Sequence, residues 1–376
     1  MKLIFDVYPL LNTHYTGIPQ TTWHLARQFL VRKVDCLYTF GYRVLCAEEI
    51  NHLVQCRSGR NWRSIFVEQP GLQSQRFLTA SDLKERIYFS PHVMSCLTAR
   101  GLGNARFVHD ISSVTMPQFH HNDTVMIDNR NLPVDLKLCD SIFTVSESSK
   151  AELIRYLGVP ESKITVAYPG VEWMSNQVEL ASKVLFEKPY VLVLATREPR
   201  KNLKLVLKYL VKNKAKIIAG ELNYVFAGPS GWGSSEMEEG MSHALNELQA
   251  SGKLLFAGFV PEELKLTLIQ DAAYMIFPAF FEGFGSPVAE ALSLGTPVAC
   301  SFGGSLPEVG GDAAYYFSPD SLLSMTDAIA SLEIDLKIDR RAVRLKASKQ
   351  GEKFSWQTFT DTVLENLGAL YARNAK

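Results

Sequence analysis

Residues 273–301 read AYMIFPAFFEGFGSPVAEALSLGTPVACS, and this stretch decides the fold. An apolar run of strand length is followed by a glycine-rich loop, a helical pattern near 287–294 and a second apolar run at 297–301. Strands joined by a crossover helix lie parallel in one sheet. The stretch therefore predicts a parallel α/β layer with helices on both faces.

The rest of the chain repeats this alternation. In the second half, strands are predicted near 190–196, 222–228 and 253–259, with helices near 202–212, 235–250 and 261–270. In the first half, strands are predicted at 2–9, 86–89, 105–109, 141–145 and 164–167, and helices at 18–33, 123–138 and 147–157. The stretch 44–80 stays unassigned. The fold class is α/β with two domains.

The domain boundary is predicted from composition. Pro169 and Gly170 close the first half, and the polar segment 172–188 has little pattern. We predict an N-terminal domain at 1–171 and a C-terminal domain at 172–354. The segment 355–376 has a helical apolar period that fits either domain.

Charge and hydropathy exclude several classes of protein. Lys plus Arg number 39 and Asp plus Glu number 39, so nothing draws the whole chain to nucleic acid. No apolar stretch approaches 18 residues, the N-terminal run is too broken for a signal peptide, and the six cysteines are scattered. We expect a soluble cytoplasmic protein in a reducing compartment.

One basic run lies near the C terminus. It consists of Lys337, Arg340, Arg341, Arg344, Lys346, Lys349 and Lys353 at roughly helical spacing. Such a run is typical of a solvated helix face. Contact with a membrane or a polyanion is the alternative, which would place the protein peripherally on the inner face of the cell membrane.

Several motifs are absent. The sequence has no complete GxGxxG, GxxxxGK[ST] or GxSxG, which argues against dehydrogenases, P-loop enzymes and serine hydrolases. It also has no Asp-x-Asp pair and no His or Cys cluster at metal-ligand spacing. We expect no metal and no cofactor.

The loop at 278–286 predicts an anion site. Gly283 and Gly285 let backbone N–H groups approach a ligand, Ser286 suits the N-cap, and Pro287 suits the first helical position. A helix N-terminus after a parallel strand favours an anion. Glu282 and Glu290 can face the same cleft. A glycosidase pair is a weaker interpretation because both flank a phosphate-friendly loop, and a glycine-rich turn with two solvated glutamates is the non-functional alternative.

The pattern EGFGSPVAE at 282–290, followed by ALSLGTPVACSFGGSLPEVGGDAAYYFSP, resembles the donor-site signature of the retaining GT-B glycosyltransferases of family GT4. The segments 107–110, 144–150, 168–171, 194–203, 225–233 and 256–264 are similar to the same family, most strongly from about 190 to 320. The EPRKN form at 198–202 and the His109-Asp110 pair resemble the O-antigen and capsule enzymes, many of which use GDP-mannose.

The resemblance implies a fold and a reaction. The fold is GT-B, with two facing Rossmann-like domains, an interdomain cleft and a C-terminal helix that crosses back to the N-terminal domain. The reaction moves a hexose from a nucleoside-diphosphate sugar onto a glycan or a lipid-linked acceptor in surface polysaccharide or lipopolysaccharide synthesis. A sugar-nucleotide epimerase of the same fold and a catalytically silent glycan-assembly subunit are the alternatives.

The resemblance also implies roles for single residues. Arg200 and Lys201 would bind the donor diphosphate, and Glu282 would hold sugar hydroxyls beside the backbone N–H groups of Phe284 and Gly285, within the loop 283–286. Glu290 would bind the ribose, and Phe259 and Val260 would border the nucleobase. Gly17, where the family often has two glycines, would let the backbone close on the phosphates or the acceptor. His109 would lie close to the sugar and the leaving phosphate, with Asp110 either orienting it or capping the next segment.

Overall fold

The computed structural model describes residues 1–12, 17–56, 76–92, 101–171, 189–231 and 241–375. Contacts divide the chain into two units. The first contains Met1–Pro117, His121–Pro169 and Trp356–Lys376, and the second contains Gln118–His120 and Gly170–Ser355. The segment 172–188, where the domain boundary is predicted, lies outside the described residues.

The first unit is built on a mostly parallel sheet with the strand order β4-β3-β2-β1-β5-β6-β7-β8. The strands are β1 (Lys2–Asp6), β2 (Asp35–Phe40), β3 (Arg43–Val44), β4 (Arg76–Phe77), β5 (Ile87–Ser90), β6 (Gly103–Phe107), β7 (Ser141–Thr144) and β8 (Ile164–Val166). Only β3 pairs antiparallel with its neighbours among these strands. All residues of β5 and β6 are buried, as expected for central strands covered on both faces.

Helices surround this sheet. They are α1 (Ile18–Val31), α2 (Ala47–Cys56), α3 (Ala80–Glu85), α4 (Ser112–Thr115), α5 (Asn122–Leu138), α6 (Glu147–Leu157) and the C-terminal α14 (Trp356–Asn374). The last helix belongs to this unit by its contacts. The Trp356 ring stacks on His24 with centroids 3.6 Å apart, and Asp361 pairs with Arg32 at 2.5 Å.

The second unit has an all-parallel sheet with the order β11-β10-β9-β12-β13-β14. The strands are β9 (Tyr190–Leu194), β10 (Asn223–Ala227), β11 (Leu254–Gly258), β12 (Tyr274–Phe277), β13 (Val298–Ser301) and β14 (Ala314–Phe317). The chain proceeds in one direction from β9 to β11 and then returns to place β12 on the other side of β9. The sheet order therefore reverses between β9 and β12, and open α/β sheets bind ligands at such a switch point.

The helices of the second unit are α7 (Leu203–Lys212), α8 (Lys214–Ala219), α9 (Ser242–Ala250), α10 (Glu262–Asp271), α11 (Ser286–Ser293), α12 (Leu306–Gly310) and α13 (Leu322–Gly351). Their apolar faces pack on the sheet in one core, with Val206, Leu248, Ile276 and Leu332 almost fully buried. The α/β class predicted from the sequence is confirmed. No helix among the described residues is long and apolar enough to cross a membrane.

Two local predictions differ from the structure, a third can be compared only in part, and the stretch left unassigned is described in part. The first strand ends at Asp6, and a 3₁₀ turn at Tyr8–Leu11 with Pro9 follows it. The helix predicted near 235–250 is described only from Ser242, because 232–240 lie outside the described residues. The unassigned stretch 44–80 contains α2, and its part at 57–75 lies outside the described residues. Ser286 is not the N-cap of α11, because Gly285 takes that position with a φ of 88°.

Candidate functional site

The site is built where the loops after β9 and β12 meet at the carboxyl edge of the second sheet. The loop after β9 forms a 3₁₀ turn at Pro199–Lys201, just before α7. The backbone N–H of Phe280 donates to the carbonyl of Arg200 at 2.9 Å. Asn202, in a left-handed conformation with a φ of 53°, donates its amide to the carbonyls of Pro278 at 3.1 Å and Pro319 at 2.8 Å. The two loops are thus joined by one backbone hydrogen bond and by the neutral amide of Asn202 before any side-chain charge is considered.

Arg200, Lys201 and Glu282 meet at this junction. Lys201 Nζ lies 2.5 Å from Glu282 Oε1, and an Arg200 guanidinium nitrogen lies 3.2 Å from Glu282 Oε2. The same guanidinium donates to the carbonyl of Phe281 at 2.8 Å. The three side chains are only 9–16% exposed, so their interaction is screened less than that of a surface pair. Two cations and one carboxylate are therefore held together at the ends of β9 and β12, which are neighbouring strands.

The loop after β13 holds the backbone at Glu282 in place. The backbone N–H and the hydroxyl of Ser305 both donate to the carbonyl of Glu282 at 3.0 Å. Gly303 and Gly304 pass so close to the loop after β12 that a Cβ would lie 2.2 Å from the Phe280 carbonyl oxygen and 2.3 Å from the Glu282 carbonyl oxygen. Only glycine fits there. The sequence motif by itself predicts no role for this Gly-Gly pair, for Ser305 or for Asn202.

Glu290 has a different partner. It lies on α11, and its carboxylate pairs with Lys265 of α10 at 3.0 Å, with 13% of the Glu290 side chain exposed. Glu282 and Glu290 therefore belong to two separate ion pairs, Glu282 on the loop after β12 and Glu290 on α11. Lys265 was missed because the contact is 25 residues apart in the chain and depends on how α10 packs beside α11.

Phe259 and Val260 lie at the same carboxyl edge but further along it. They follow β11, which is the edge strand, so β10 and β9 lie between them and β12. Phe259 is 53% exposed. An exposed aromatic ring next to a strand end can stack on a planar ligand group.

The remaining predicted residues belong to the first unit. His109 follows β6, and its ring stacks on Phe107 with centroids 5.0 Å apart. Burial lowers the pKa of His109 to about 4, which makes the imidazole neutral at pH 7, and its Nε2 has no hydrogen-bond partner among the described residues. Asp110 accepts from the backbone N–H of Ser112 at 2.9 Å and from its hydroxyl at 2.6 Å, which is the capping role.

Gly17 is the N-cap of α1 and has a φ of 57°, a conformation that favours glycine. The preceding residues 13–16 lie outside the described residues. Within the described part of the chain, no group of three His, Cys, Asp or Glu side chains is placed to hold a metal ion.

Comparison with known proteins identifies the family. Residues 178–350 match the family described as glycosyl transferases group 1. The O-antigen chain mannosyltransferase B of Escherichia coli is 30% identical over 385 residues, which covers 96% of this chain and 97% of that protein. The chain belongs to the group 1 glycosyltransferases. This glycosyltransferase is also 29% identical over 203 residues to the O-antigen chain mannosyltransferase RfbU of Salmonella typhimurium, covering 54% of this chain and 53% of that protein.

Solved structures agree on the fold of this glycosyltransferase. A glycosyltransferase from Rickettsia africae has a TM-score of 0.68 at 14% identity over 98% of each chain. HepE from Anabaena, solved in complex with UDP and glucose, has a TM-score of 0.67 at 15% identity over 98% of this chain and 100% of that one. The GT-B fold predicted from the sequence is confirmed, and this group 1 glycosyltransferase is a hexosyltransferase of the O-antigen type.

Proposed function

We propose that this glycosyltransferase moves mannose from GDP-mannose, with retention of the anomeric configuration, onto a glycan or lipid-linked acceptor in O-antigen synthesis. The observation that carries the proposal is the near full-length similarity to the O-antigen chain mannosyltransferase B of Escherichia coli. Arg200 and Lys201, which both pair with Glu282, support the proposal, because fixed positive charge stabilises the negative charge that develops on a departing nucleoside diphosphate.

The contacts support a division of roles in the second unit. Arg200 and Lys201 would share their positive charge between Glu282 and the donor diphosphate, while Glu282 accepts hydrogen bonds from sugar hydroxyls. The backbone of 283–286, at the start of α11, would lie beside the sugar. Glu290 would accept from the ribose hydroxyls, and the exposed ring of Phe259, with Val260, would border the guanine.

Two residues of the first unit complete the proposed set. His109 is neutral at pH 7 because burial lowers its pKa to about 4, so its free Nε2 can exchange a hydrogen bond with a hydroxyl without adding charge. Gly17 has no side chain to obstruct a phosphate or an acceptor at the start of α1, and a Cβ there would meet no atom of the described residues within 4 Å.

The geometry at Glu282 favours a front-face displacement. Each carboxylate oxygen already has a cationic partner, Lys201 for one and Arg200 for the other, which makes Glu282 a poor nucleophile. In the proposed reaction the bond from the sugar to the diphosphate breaks as the acceptor hydroxyl attacks from the same face. The departing phosphate oxygen takes the acceptor proton, so no covalent intermediate with the enzyme is required.

The test is a thermal-shift panel of GDP, UDP and ADP, followed by transfer assays with the matching sugars. A ligand at a hundredfold excess over Kd stabilises the native state by about 2.7 kcal/mol, so GDP should raise Tm clearly more than UDP or ADP. NMR of the product should show the donor's α configuration. Transfer should persist in excess EDTA, since Arg200 and Lys201 replace a metal in this proposal.

Other results would contradict the proposal in different ways. Interconversion of the donor sugar without any acceptor would indicate an epimerase. A chain whose Tm no nucleotide changes would instead be a silent subunit of a glycan-assembly complex. An inverted product would contradict the front-face mechanism alone.

A further inference from the structure

The helix α13 bends in its middle. Asp339 has non-helical angles, with a φ of −150° and a ψ of 83°, and its carboxylate accepts from the backbone N–H of Ala342 at 2.9 Å. This is the geometry of an N-cap, so a new helical segment begins after Asp339. The bend leaves the end of the first segment and the start of the second in contact with solvent, and residues 337–342 are all exposed.

Branched apolar side chains lie on this exposed surface. Ile334 and Ile338, one helical turn apart, are 56% and 77% exposed, and Leu345 of the second segment is 52% exposed. In the same helix Ile329 and Leu332 are almost fully buried, whereas Leu323 at its start is 67% exposed. A helix that had only to pack on its own core would not place two isoleucines one turn apart in water.

Basic residues surround these apolar side chains. Residues 337–353 contain seven Lys or Arg and two acidic residues, whereas the whole chain is balanced. Arg340, Arg341, Lys346 and Lys349 are exposed. The acidic residues nearby are partly engaged, because Asp339 caps the second segment and Asp335 accepts from the Tyr315 hydroxyl at 2.6 Å.

A solvated helix face does not account for this arrangement. In such a face the long basic side chains cover their apolar neighbours. Here Ile338 remains 77% exposed although Lys337, Arg340 and Arg341 are its neighbours in the chain. Ile338 and the basic residues Arg340, Arg341, Lys346 and Lys349 are all exposed, so both kinds of group are available to a partner.

We propose that Ile334, Ile338 and Leu345 with Arg340, Arg341, Lys346 and Lys349, here named the α13 patch, dock this glycosyltransferase onto the surface of an anionic lipid bilayer. Interfacial helices insert apolar side chains at the boundary between headgroups and acyl chains and place Lys and Arg among the anionic headgroups. The patch supplies both. This inference goes beyond the proposed reaction, and it requires neither donor nor acceptor.

The test measures binding of the full chain to vesicles that contain phosphatidylglycerol and phosphatidylcholine, by co-sedimentation at several salt concentrations. Vesicles of phosphatidylcholine alone are the lipid control. The wild type should bind the anionic vesicles, and binding should weaken as salt screens the charges. Arg340→Gln with Arg341→Gln should lower the partition coefficient roughly 25-fold, because each basic residue near such a surface contributes roughly fivefold. Ile338→Asn should lower it by about tenfold through lost apolar insertion.

Matched variants separate this patch from general charge and from other apolar surface. Lys212→Gln with Lys216→Gln removes the same charge from exposed positions of α7 and α8 and should leave binding unchanged. Met126→Asn changes a 67%-exposed residue of α5 and should also have no effect. All variants should keep the wild-type Tm, since the changed side chains are exposed.

Three outcomes would overturn the proposal. These are no binding of the wild type to anionic vesicles at low salt, equal losses from the two double variants, and loss of binding in Met126→Asn but not in Ile338→Asn. Retention on heparin together with no vesicle binding would assign the patch to a soluble polyanion and would also reject the bilayer. Because no sugar nucleotide is present in these measurements, their failure leaves the test of the proposed transfer reaction unaffected.

Discussion

Lys201 and Arg200 both pair with Glu282, but they differ in what else they hold. Arg200 also donates to the Phe281 carbonyl, and its own carbonyl accepts from the Phe280 N–H, so it joins the two loops. The ammonium of Lys201 contacts Glu282 and lies 5.7 Å from the Phe277 ring. Replacing Lys201 therefore tests the charge in the site with less disturbance of the two loops than replacing Arg200.

We predict that Lys201→Ala lowers kcat by about 10²–10³ with a modest change in KM, because a cation aimed at the leaving diphosphate acts more in the transition state than in the ground state. The Tm without ligand should stay near the wild-type value, since Arg200 still pairs with Glu282. Steady-state kinetics with varied donor measure this. An unchanged kcat would remove Lys201 from the catalytic set, and a chain that fails to fold would indicate a structural role.

Glu290 should behave differently, because the ribose does not change during the reaction. We predict that Glu290→Gln raises the donor KM and leaves most of kcat, as expected for an interaction equally strong in both states. Lys265→Met should show the same pattern more weakly, since Lys265 only fixes the carboxylate at 3.0 Å. Loss of turnover at saturating donor in Glu290→Gln would contradict this assignment.

Glu152 gives a prediction about pH. Burial, and secondarily the charge of Asp110, raises the pKa of Glu152 to about 7, and its Oε2 has no hydrogen-bond partner among the described residues. A carboxyl whose pKa is higher in the folded state lowers stability as pH rises from about 4.5 to about 7, because the unfolded chain ionises more easily. We predict that Glu152→Gln raises Tm at pH 8 and that the gain disappears below pH 4.5.

The matched control for this prediction is Glu161→Gln. The hydrogen bond from Lys150 lowers the pKa of Glu161, so its removal should not raise Tm at pH 8. Thermal unfolding across pH measures both variants. A gain for Glu152→Gln that persists at low pH would attribute the effect to packing and not to ionisation.

At the scale of elements, the loop after β13 holds the loop after β12 in place. Gly304 has a φ of 63°, and a Cβ there would lie 2.3 Å from the Glu282 carbonyl oxygen. We predict that Gly304→Ala lowers Tm and also raises the donor KM, because the Glu282 loop must shift. Gly252→Ala is the control. Gly252 has a similar φ of 71°, but a Cβ there would meet no atom of the described residues within 4 Å, so the change should cost only the left-handed backbone strain of about 1–2 kcal/mol and leave KM unchanged.

The elements that can be predicted from the sequence are those whose formation depends on residues close together in the chain. The strand-loop-helix of 273–301 follows from periodicity and from two glycines, and it occurs as predicted. The N-cap was wrong by one residue, because Gly285 adopts a positive φ that no side-chain preference reveals. Lys265, Ser305 and Asn202 could not be predicted, because their contacts depend on which strands and helices become neighbours.

At the scale of the whole molecule, residues that are far apart in the sequence belong to the same structural unit. The chain leaves the first unit near Pro169 and returns to it at Trp356. The apolar period of 355–376 predicts a helix but cannot say which sheet it covers. Its contacts with His24, Arg32 and Thr165 show that it packs in the first unit, where the proposed His109 also lies.

The last prediction tests how strongly α14 stabilises that unit. Val363 and Leu367 of α14 are fully buried, and Phe359 packs with its ring centroid 5.7 Å from that of Phe107, which lies two residues before His109 in the chain. We expect Leu367→Ala to lower the free energy of unfolding by about 2–5 kcal/mol, as for other fully buried leucines. Leu323→Ala, at a position 67% exposed, should change it by no more than about 0.5 kcal/mol. Denaturant unfolding of the full chain measures both.

A chain that ends at Phe354 should fail to fold its first unit, because it lacks the buried residues of α14. If that chain folded and transferred sugar like the full chain, α14 would be dispensable.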